Sequence, residues 1–276
     1  MIMKANDTTE NGLYYRHWPL EDNIKPKAVV LLVHGLGEHC QRYDHVASFF
    51  TKASYALCSM DLPGHGKSEG ARGHIDSFEL YQTAILELFE RVKTLYPNTK
   101  IVLLGHSMGG LIATQLLLNH QDKFAAAMLS GAAIKSPQEP PAWQVVIIKT
   151  IATFFPKAKM LALDASAISR DSEVVRKYMN DPLVSQEKLS AQFLLGMTNS
   201  MEECKSNASR IELPLLIMHG SNDAMTAPEG SEFLFESVGS TDKELKIFDG
   251  LFHEIFNEPE KEQVFADMLE WMASRV

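Results

Sequence analysis

The segment Ile101-Val102-Leu103-Leu104-Gly105-His106-Ser107-Met108-Gly109 joins an apolar run to a helical pattern. The apolar run is typical of a buried parallel strand, and apolar residues within 111–118 recur at helical spacing. Glycines at positions 105 and 109 allow a sharp turn, because larger side chains there would clash with the neighbouring backbone. The pattern G-x-S-x-G in this setting predicts a nucleophile elbow that exposes Ser107, with a glycine-rich turn lacking chemistry as the alternative.

Other apolar runs on both sides of this turn predict the rest of a sheet. They cover residues 28–33, 55–60, 125–129 and 215–218, with a weaker run at 245–248. Helical patterns lie between these runs, and the clearest of them spans 76–96. Strands that alternate with helices form right-handed βαβ units. We therefore expect an α/β fold built on a mostly parallel, doubly wound sheet.

Residues 133–209 interrupt this alternation. The segment opens with several prolines, continues as an amphipathic helix around 143–155, and contains no convincing central strand. A segment that leaves a sheet and returns to it is typical of a cap, or lid. The prediction is a core formed by 1–132 and 210–276, with 133–209 inserted as a mainly helical cap.

Composition and charge exclude several classes of protein. The chain has 276 residues, of which 45% are hydrophobic and 22% charged, values typical of a globular protein. The formal net charge of -9 and the lack of a Lys/Arg-rich run argue against a nucleic-acid partner. Cys40, Cys58 and Cys204 show no C-x-x-C spacing, which disfavours a disulfide framework and a structural zinc site.

The N-terminal segment 1–12 shows no secretory signal, and no apolar stretch approaches the length of about 18 residues that spans a membrane. The expected location is therefore cytoplasmic.

A serine nucleophile needs a base, and the base needs an acid that orients it. In hydrolases with this elbow the three residues follow one another as Ser, acid and His. Asp223 follows the predicted strand 215–218, and His253 follows the predicted strand 245–248. Since the carboxyl ends of parallel strands meet at one edge, Ser107, Asp223 and His253 are predicted to form a catalytic triad.

Two nearby residues are interpreted differently. His219 ends a predicted strand and is expected to be packed in the interior. Asp249 precedes the catalytic histidine and is expected to be a turn residue.

An oxyanion hole requires two backbone N–H donors. The residue after the nucleophile, Met108, supplies one, and Leu36 in the glycine-rich loop after the first apolar run supplies the other. His34, Glu38 and His39 of that loop also raise the possibility of a metal site. A zincin, however, places its two histidines one turn apart on a helix, so we expect no metal site here. The serine mechanism uses no organic cofactor, and we expect none. The loop also lacks the third glycine of a dinucleotide-binding fingerprint.

The chain resembles the monoacylglycerol lipase and lysophospholipase group of α/β-hydrolases. The matching segments are H-G-L-G-E-H-C-Q-R-Y (34–43), D-L-P-G-H-G-K-S-E-G (61–70), G-H-S-M-G-G (105–110), N-D-P-L-V (180–184), H-G-S-N-D (219–223) and the segment around His253. The resemblance implies an α/β-hydrolase fold and assigns the same triad and the same oxyanion donors.

The resemblance also implies how the head-group end of the pocket is built. Glu38 and Arg42 are expected to support its polar end. The mammalian monoacylglycerol lipases carry a second histidine three residues after the catalytic one, near the glycerol. This chain has Phe256 there, so the resemblance does not specify which head group the site recognises.

The cap sequence bears on the substrate. Trp143, Ile147 and Phe154 recur at helical spacing and are candidates to contact it. They could line an acyl tunnel, touch a membrane surface, or form the buried face of a cap helix. The spacing does not distinguish these cases.

The leading functional hypothesis is a serine esterase acting on a small, single-chain lipid ester. An aminopeptidase of the prolyl type shares the triad but needs a carboxylate cluster for the substrate amine, and none is apparent in the cap sequence. A non-catalytic binding protein would be marked by a broken triad, whereas this one is intact in sequence.

Overall fold

The protein is described by a computed structural model that covers residues 5–21, 24–138, 141–162 and 164–276. The strands are β1 (Asn6–Glu10), β2 (Leu13–Trp18), β3 (Ala28–Val33), β4 (Ala56–Met60), β5 (Lys100–His106), β6 (Ala126–Ser130), β7 (Lys159–Leu161), β8 (Leu189–Ser190), β9 (Leu215–Gly220) and β10 (Lys243–Phe248). The α-helices are α1 (Asp44–Lys52), α2 (Glu79–Leu95), α3 (Met108–His120), α4 (Ala142–Phe154), α5 (Ser172–Asn180), α6 (Ala191–Asn207), α7 (Pro228–Ser237) and α8 (Lys261–Ala273). Short 3-10 helices cover Cys40–Tyr43, Gln121–Lys123, Ala165–Ala167 and Ala208–Arg210.

Eight strands form one sheet in the order β1-β2-β4-β3-β5-β6-β9-β10. The six strands from β4 to β10 in that order pair in parallel, and β1 and β2 add an antiparallel edge. The predicted α/β fold with a mostly parallel, doubly wound sheet is thereby confirmed.

The two faces of the sheet are covered by different helices. Strand β3 is buried along its whole length, so its alternating side chains enter two separate clusters. Val29 and Leu31 join the cluster that includes α2, α3 and α7, whereas Val30 and Leu32 join the cluster that includes α1 and α8. This two-sided burial explains why the strands read as continuous apolar runs.

The antiparallel edge, formed by β1 and β2, has a different sequence signature. Apolar runs do not mark it. Strand β1 is exposed at every position and reads Asn-Asp-Thr-Thr-Glu. Asn11 and Gly12 join β1 to β2, and both have positive φ angles of 51° and 76°. An Asn-Gly pair between two strands is the strongest short hairpin signal in a sequence.

The insert, residues 133–209, lies between β6 and β9. It contains α4, α5, α6 and an antiparallel pair formed by β7 and β8, separate from the main sheet. Helix α6 packs on both α4 and the core helix α3, which fixes the insert to the core. The division of the chain into core and cap stays a prediction.

Candidate active site

Ser107 occupies a strained turn between β5 and α3. Its φ and ψ angles are 56° and -122°, a conformation that non-glycine residues rarely adopt. A Cβ atom on Gly105 would lie 2.6 Å from the Gly109 carbonyl oxygen, and one on Gly109 would lie 2.3 Å from that of Val33. Both glycines are therefore required by the close approach of backbone to backbone at this elbow.

The structure brings Ser107, His253 and Asp223 into one hydrogen-bonded chain. The Ser107 hydroxyl donates to His253 Nε2 over 2.8 Å, and His253 Nδ1 donates to Asp223 Oδ2 over 2.7 Å. Because an ionised carboxylate only accepts, His253 carries its proton on Nδ1 and leaves Nε2 free to accept. This arrangement can transfer the serine proton to the imidazole.

Electrostatics favour that transfer. Burial lowers the pKa of His253, but the hydrogen bond and charge of Asp223 outweigh it, so the pKa lies above its usual value. Burial also disfavours the Asp223 anion, yet hydrogen bonds from His219 and His253 hold the pKa of that carboxyl far below its usual range. Asp223 therefore stays ionised and can stabilise an imidazolium on His253.

His219 is packed, as expected, but it also holds the acid in place. It is fully buried, with Nε2 at 3.0 Å from Asp223 Oδ2 and Nδ1 at 2.7 Å from Ser231 Oγ. The backbone N–H groups of Met225 and Thr226 donate to the other carboxylate oxygen over 2.7 and 3.0 Å. Sequence reasoning missed this role, although the four-residue spacing of histidine and aspartate within H-G-S-N-D was visible.

The two residues expected to supply oxyanion donors line the same cavity as Ser107. Leu36 and Met108 both line it, and neither amide donates to another protein group within the described parts of the chain. The Leu36 loop is shaped by Gly37, whose φ angle is 76°, and by the Gly35 N–H, which donates to Glu38 Oε1 over 2.6 Å. The two amides are available to a ligand oxygen.

The cavity beside Ser107 is small, about 60 Å³. Ligand sites usually measure some 300–1,000 Å³, so a long ligand requires the walls to move. The apolar part of the wall is formed by side chains from the core loops and from the insert: Leu36, Met108, Ala133, Ile168, Met197 and Met225.

The insert contacts the loop that carries Leu36. The Ser185 N–H donates to the Gly37 carbonyl over 2.7 Å, and His39 Nε2 lies 2.9 Å from the Asp181 carboxylate. Segment 180–184, which carries the N-D-P-L-V match, therefore braces one side of the site.

Glu38 and Arg42 form a buried cluster with Glu254. Arg42 donates to Glu38 over 2.6 Å and forms a bidentate pair with Glu254 over 2.6 and 2.7 Å. Burial raises the pKa of Glu38, but the charge of Arg42 and further contacts, among them the hydrogen bond from Tyr43, together lower it to about 2. Glu38 and Glu254 line the cavity, whereas Arg42 lies behind them. Glu254 was missed in the sequence, although it directly follows His253.

The three cap side chains expected to contact substrate do not reach the cavity. Trp143, Ile147 and Phe154 are 62%, 45% and 72% exposed. They are neither the buried face of α4 nor part of the wall of this small cavity, and their contact with a substrate stays a prediction.

Within the described ranges, no helix combines the length and the apolarity needed to cross a membrane.

Phe256 also lies outside the cavity. It is only 2% exposed and packs near the rings of Tyr43 and His106, with centroid distances of 6.5 and 6.0 Å. Phe256 is therefore a core residue and does not contact the cavity.

The residues that raised the possibility of a metal site have other partners. His34 Nε2 accepts from the Leu62 N–H over 2.9 Å, Glu38 pairs with Arg42, and His39 contacts Asp181. In the portion of the chain that is described, no group of three or more His, Cys, Asp or Glu residues is placed to hold a metal ion.

Comparisons with known proteins agree with this geometry. A family model described as serine aminopeptidase, S33, matches residues 24–260. A monoacylglycerol lipase of Mycolicibacterium smegmatis is 35% identical over 91% of this chain and 90% of its own length, and a monoglyceride lipase of Mus musculus is 31% identical over 96% and 88%. The crystal structure of Paleococcus ferrophilus monoacylglycerol lipase superposes with a TM-score of 0.86 at 33% identity, covering 96% of this chain and 99% of that one. The chain is therefore a carboxylic ester hydrolase, and it belongs to the monoacylglycerol lipase group of the α/β-hydrolase superfamily.

Proposed function

We propose that the protein hydrolyses carboxylic esters of single-chain lipids, such as monoacylglycerols, through an acyl-enzyme on Ser107. The observation that carries this proposal is the unbroken chain of hydrogen bonds from Ser107 through His253 to Asp223. Beside it lie the N–H groups of Leu36 and Met108, which donate to no protein group among the described residues. The apolar wall of the cavity and the similarity to lipases that act on monoacylglycerols support the choice of substrate.

The reaction follows from the positions of these groups. Ser107 Oγ attacks the ester carbonyl carbon while its proton passes to His253 Nε2. The N–H groups of Leu36 and Met108 stabilise the oxyanion of the tetrahedral intermediate. His253 then protonates the departing alcohol, which leaves an acyl group on Ser107. Water, deprotonated by the same imidazole, hydrolyses that ester and restores the enzyme. The steps call for no metal and no organic cofactor.

A panel of substrates tests the proposal. Purified protein is assayed with p-nitrophenyl butyrate, monoacylglycerols of increasing chain length, a lysophospholipid and an aminoacyl-naphthylamide. We expect hydrolysis of the esters, with kcat/KM rising with acyl length because each buried methylene contributes about 0.8 kcal/mol. Cleavage of the aminoacyl amide with no ester turnover would favour the aminopeptidase alternative. In that alternative a free carboxylate must receive the amine, yet Glu38 and Glu254 are both paired with Arg42.

We further propose that the insert acts as the cap of the site and that its outer face rests on a lipid surface. The exposed apolar side chains of α4 and its C-terminal end form a patch: Trp143, Val146, Ile147, Phe154 and Phe155. Such a patch rarely remains exposed on a soluble monomer without a partner. A lipid surface fits as that partner, because the proposed substrate resides there.

Phe154→Asp is expected to reduce activity on monoacylglycerol in vesicles by about ten- to a hundredfold. Burial of a phenylalanine side chain in an apolar phase contributes roughly 1.5–3 kcal/mol, which is lost when a charge replaces it. Activity on soluble p-nitrophenyl butyrate should stay at the wild-type level, since that substrate needs no surface. The measurement is the ratio of the two activities.

Thr153→Asp provides the matched control, because it introduces the same charge at the neighbouring, exposed position. Equal losses on both substrates in Phe154→Asp would point to damage to the fold. Undiminished activity on vesicles would contradict the proposed surface contact.

A further inference from the structure

The polar part of the cavity wall carries acidic groups without a matching cation. Glu38 and Glu254 both line the cavity, and no lysine or arginine lines it within the described ranges of the chain. The cation nearest to these carboxylates is Arg42, which lies behind them. The charge of the cavity wall next to a substrate head group therefore depends on whether Arg42 is free to contact that head group.

Both terminal nitrogens of Arg42 donate to carboxylates. One terminal nitrogen donates to Glu38 and to Glu254, and the other completes the bidentate pair with Glu254. The flat face of the guanidinium lies 4.6 Å from the centroid of the Tyr178 ring. Only 11% of the Arg42 side chain is exposed. A phosphate oxygen cannot approach this guanidinium unless a carboxylate moves away.

Two imidazoles also line the cavity, and that of His253 is paired with the Asp223 carboxylate, which balances a positive charge on it. Burial lowers the pKa of His106, which lies beside the serine, to about 4, so this imidazole is neutral near pH 7. Glu38, whose pKa is lowered to about 2, and Glu254 thus share the single guanidinium of Arg42. The field of these two carboxylates is only weakly screened by salt, because Glu38 and Glu254 are buried.

We infer that Glu254 makes this site selective for uncharged head groups: by occupying Arg42, it leaves a cavity that repels a phosphate on the leaving alcohol. The inference rests on the proposed function and narrows its substrate class to esters of neutral alcohols. The hydroxyl groups of such an alcohol can donate to the carboxylates of Glu38 and Glu254, whereas a phosphate near neutral pH has almost only acceptors to offer.

The test compares three soluble octanoyl esters of glycerol. The first is 1-octanoylglycerol, the second its 3-phosphate, and the third the 3-phosphate as its neutral dimethyl ester. Short acyl chains keep the substrates monomeric, so contact with a lipid surface does not enter. For the wild-type protein we expect kcat/KM to be at least a hundredfold lower for the 3-phosphate than for 1-octanoylglycerol. The dimethyl ester is larger but uncharged, and it should be hydrolysed faster than the 3-phosphate.

Variants at position 254 separate charge from packing. Glu254→Gln keeps the size of the side chain and removes its charge, so the preference against the 3-phosphate should fall about tenfold relative to wild type. Glu254→Asp retains the charge and should retain most of the preference. Glu260→Gln removes the same charge from an exposed residue paired with Arg170, and the wild-type ratio should persist in this control.

The possible outcomes are distinct. If the wild-type protein hydrolyses the monoacylglycerol and its 3-phosphate equally well, the selectivity is overturned while the proposed function stands, and this measurement needs no variant to fold. If folded Glu254→Gln keeps the wild-type ratio of kcat/KM for 1-octanoylglycerol and its 3-phosphate, Glu254 does not cause the selectivity. If the dimethyl ester is hydrolysed as slowly as the 3-phosphate, size and not charge is responsible. Failure to hydrolyse any of the three overturns the proposed function together with this inference.

Discussion

Ser107→Ala is expected to abolish ester hydrolysis, with a loss of about 10⁶-fold in kcat, as in other triads that lose the nucleophile. The substitution removes only the hydroxyl that donates to His253, and the backbone hydrogen bond from Ser107 to Ser130 remains possible. The folded structure should therefore survive. The measurement is turnover of p-nitrophenyl butyrate, together with the mass of the protein after treatment with a fluorophosphonate.

The wild-type protein should gain one fluorophosphonate adduct, located at Ser107, and Ser107→Ala should gain none. Ser221→Ala is the control, because Ser221 lies in the loop after β9 and its hydroxyl contacts Asp249 and the Gly250 N–H. An adduct on another residue, or full activity in Ser107→Ala, would show that the nucleophile is elsewhere.

The second large effect is expected from Asp223→Asn, which should lower kcat by about 10⁴-fold while the fold is kept. An amide in place of the carboxylate can donate to His253 Nδ1 and so favour the imidazole tautomer with its proton on Nε2. That tautomer cannot accept the serine proton. The amide also cannot stabilise the imidazolium as an anion does. The measurement is kcat with a soluble ester across a range of pH.

The pH profile gives an independent readout of the same residue. The base must be neutral to act, so kcat/KM rises with pH as His253 loses its proton. Since Asp223 raises the pKa of His253, its removal should move this acidic limb to lower pH. Asp249→Asn is the matched control, because Asp249 is exposed and its carboxylate accepts only from Ser221, at 3.4 Å, within the described structure. Near-normal activity in Asp223→Asn with an inactive Asp249→Asn would assign the acid to the other carboxylate.

Much of the fold could be predicted because its central strands are buried on both sides. The runs at 28–33 and 215–218 lie within strands β3 and β9, and the segment around Ser107 lies at the junction of β5 and α3. A strand with two buried faces must be apolar throughout, so a few adjacent residues are enough to locate it in the sequence. The predicted helix at 76–96 agrees with α2 to within three residues at each end for the same local reason.

Features that depend on exposure could not be predicted in this way. Strand β1 has no buried face, so only the Asn11-Gly12 turn marks it. The apolar residues of α4 have the spacing of a buried helix face, yet Trp143 and Phe154 are exposed. Spacing specifies which residues share a face, and only the packing of neighbouring elements decides what that face meets.

The sequence alone therefore determined the parallel strands of the sheet, the elbow and the order of Ser107, Asp223 and His253, because these follow from patterns within short segments. Tertiary structure alone decided which distant side chains complete the site. Arg42 pairs with Glu254 across 212 positions of the chain, and nothing in either segment specifies the other. His39 likewise contacts Asp181 across 142 positions of the chain. Such contacts depend on the distances between elements, which the packing of the whole core sets.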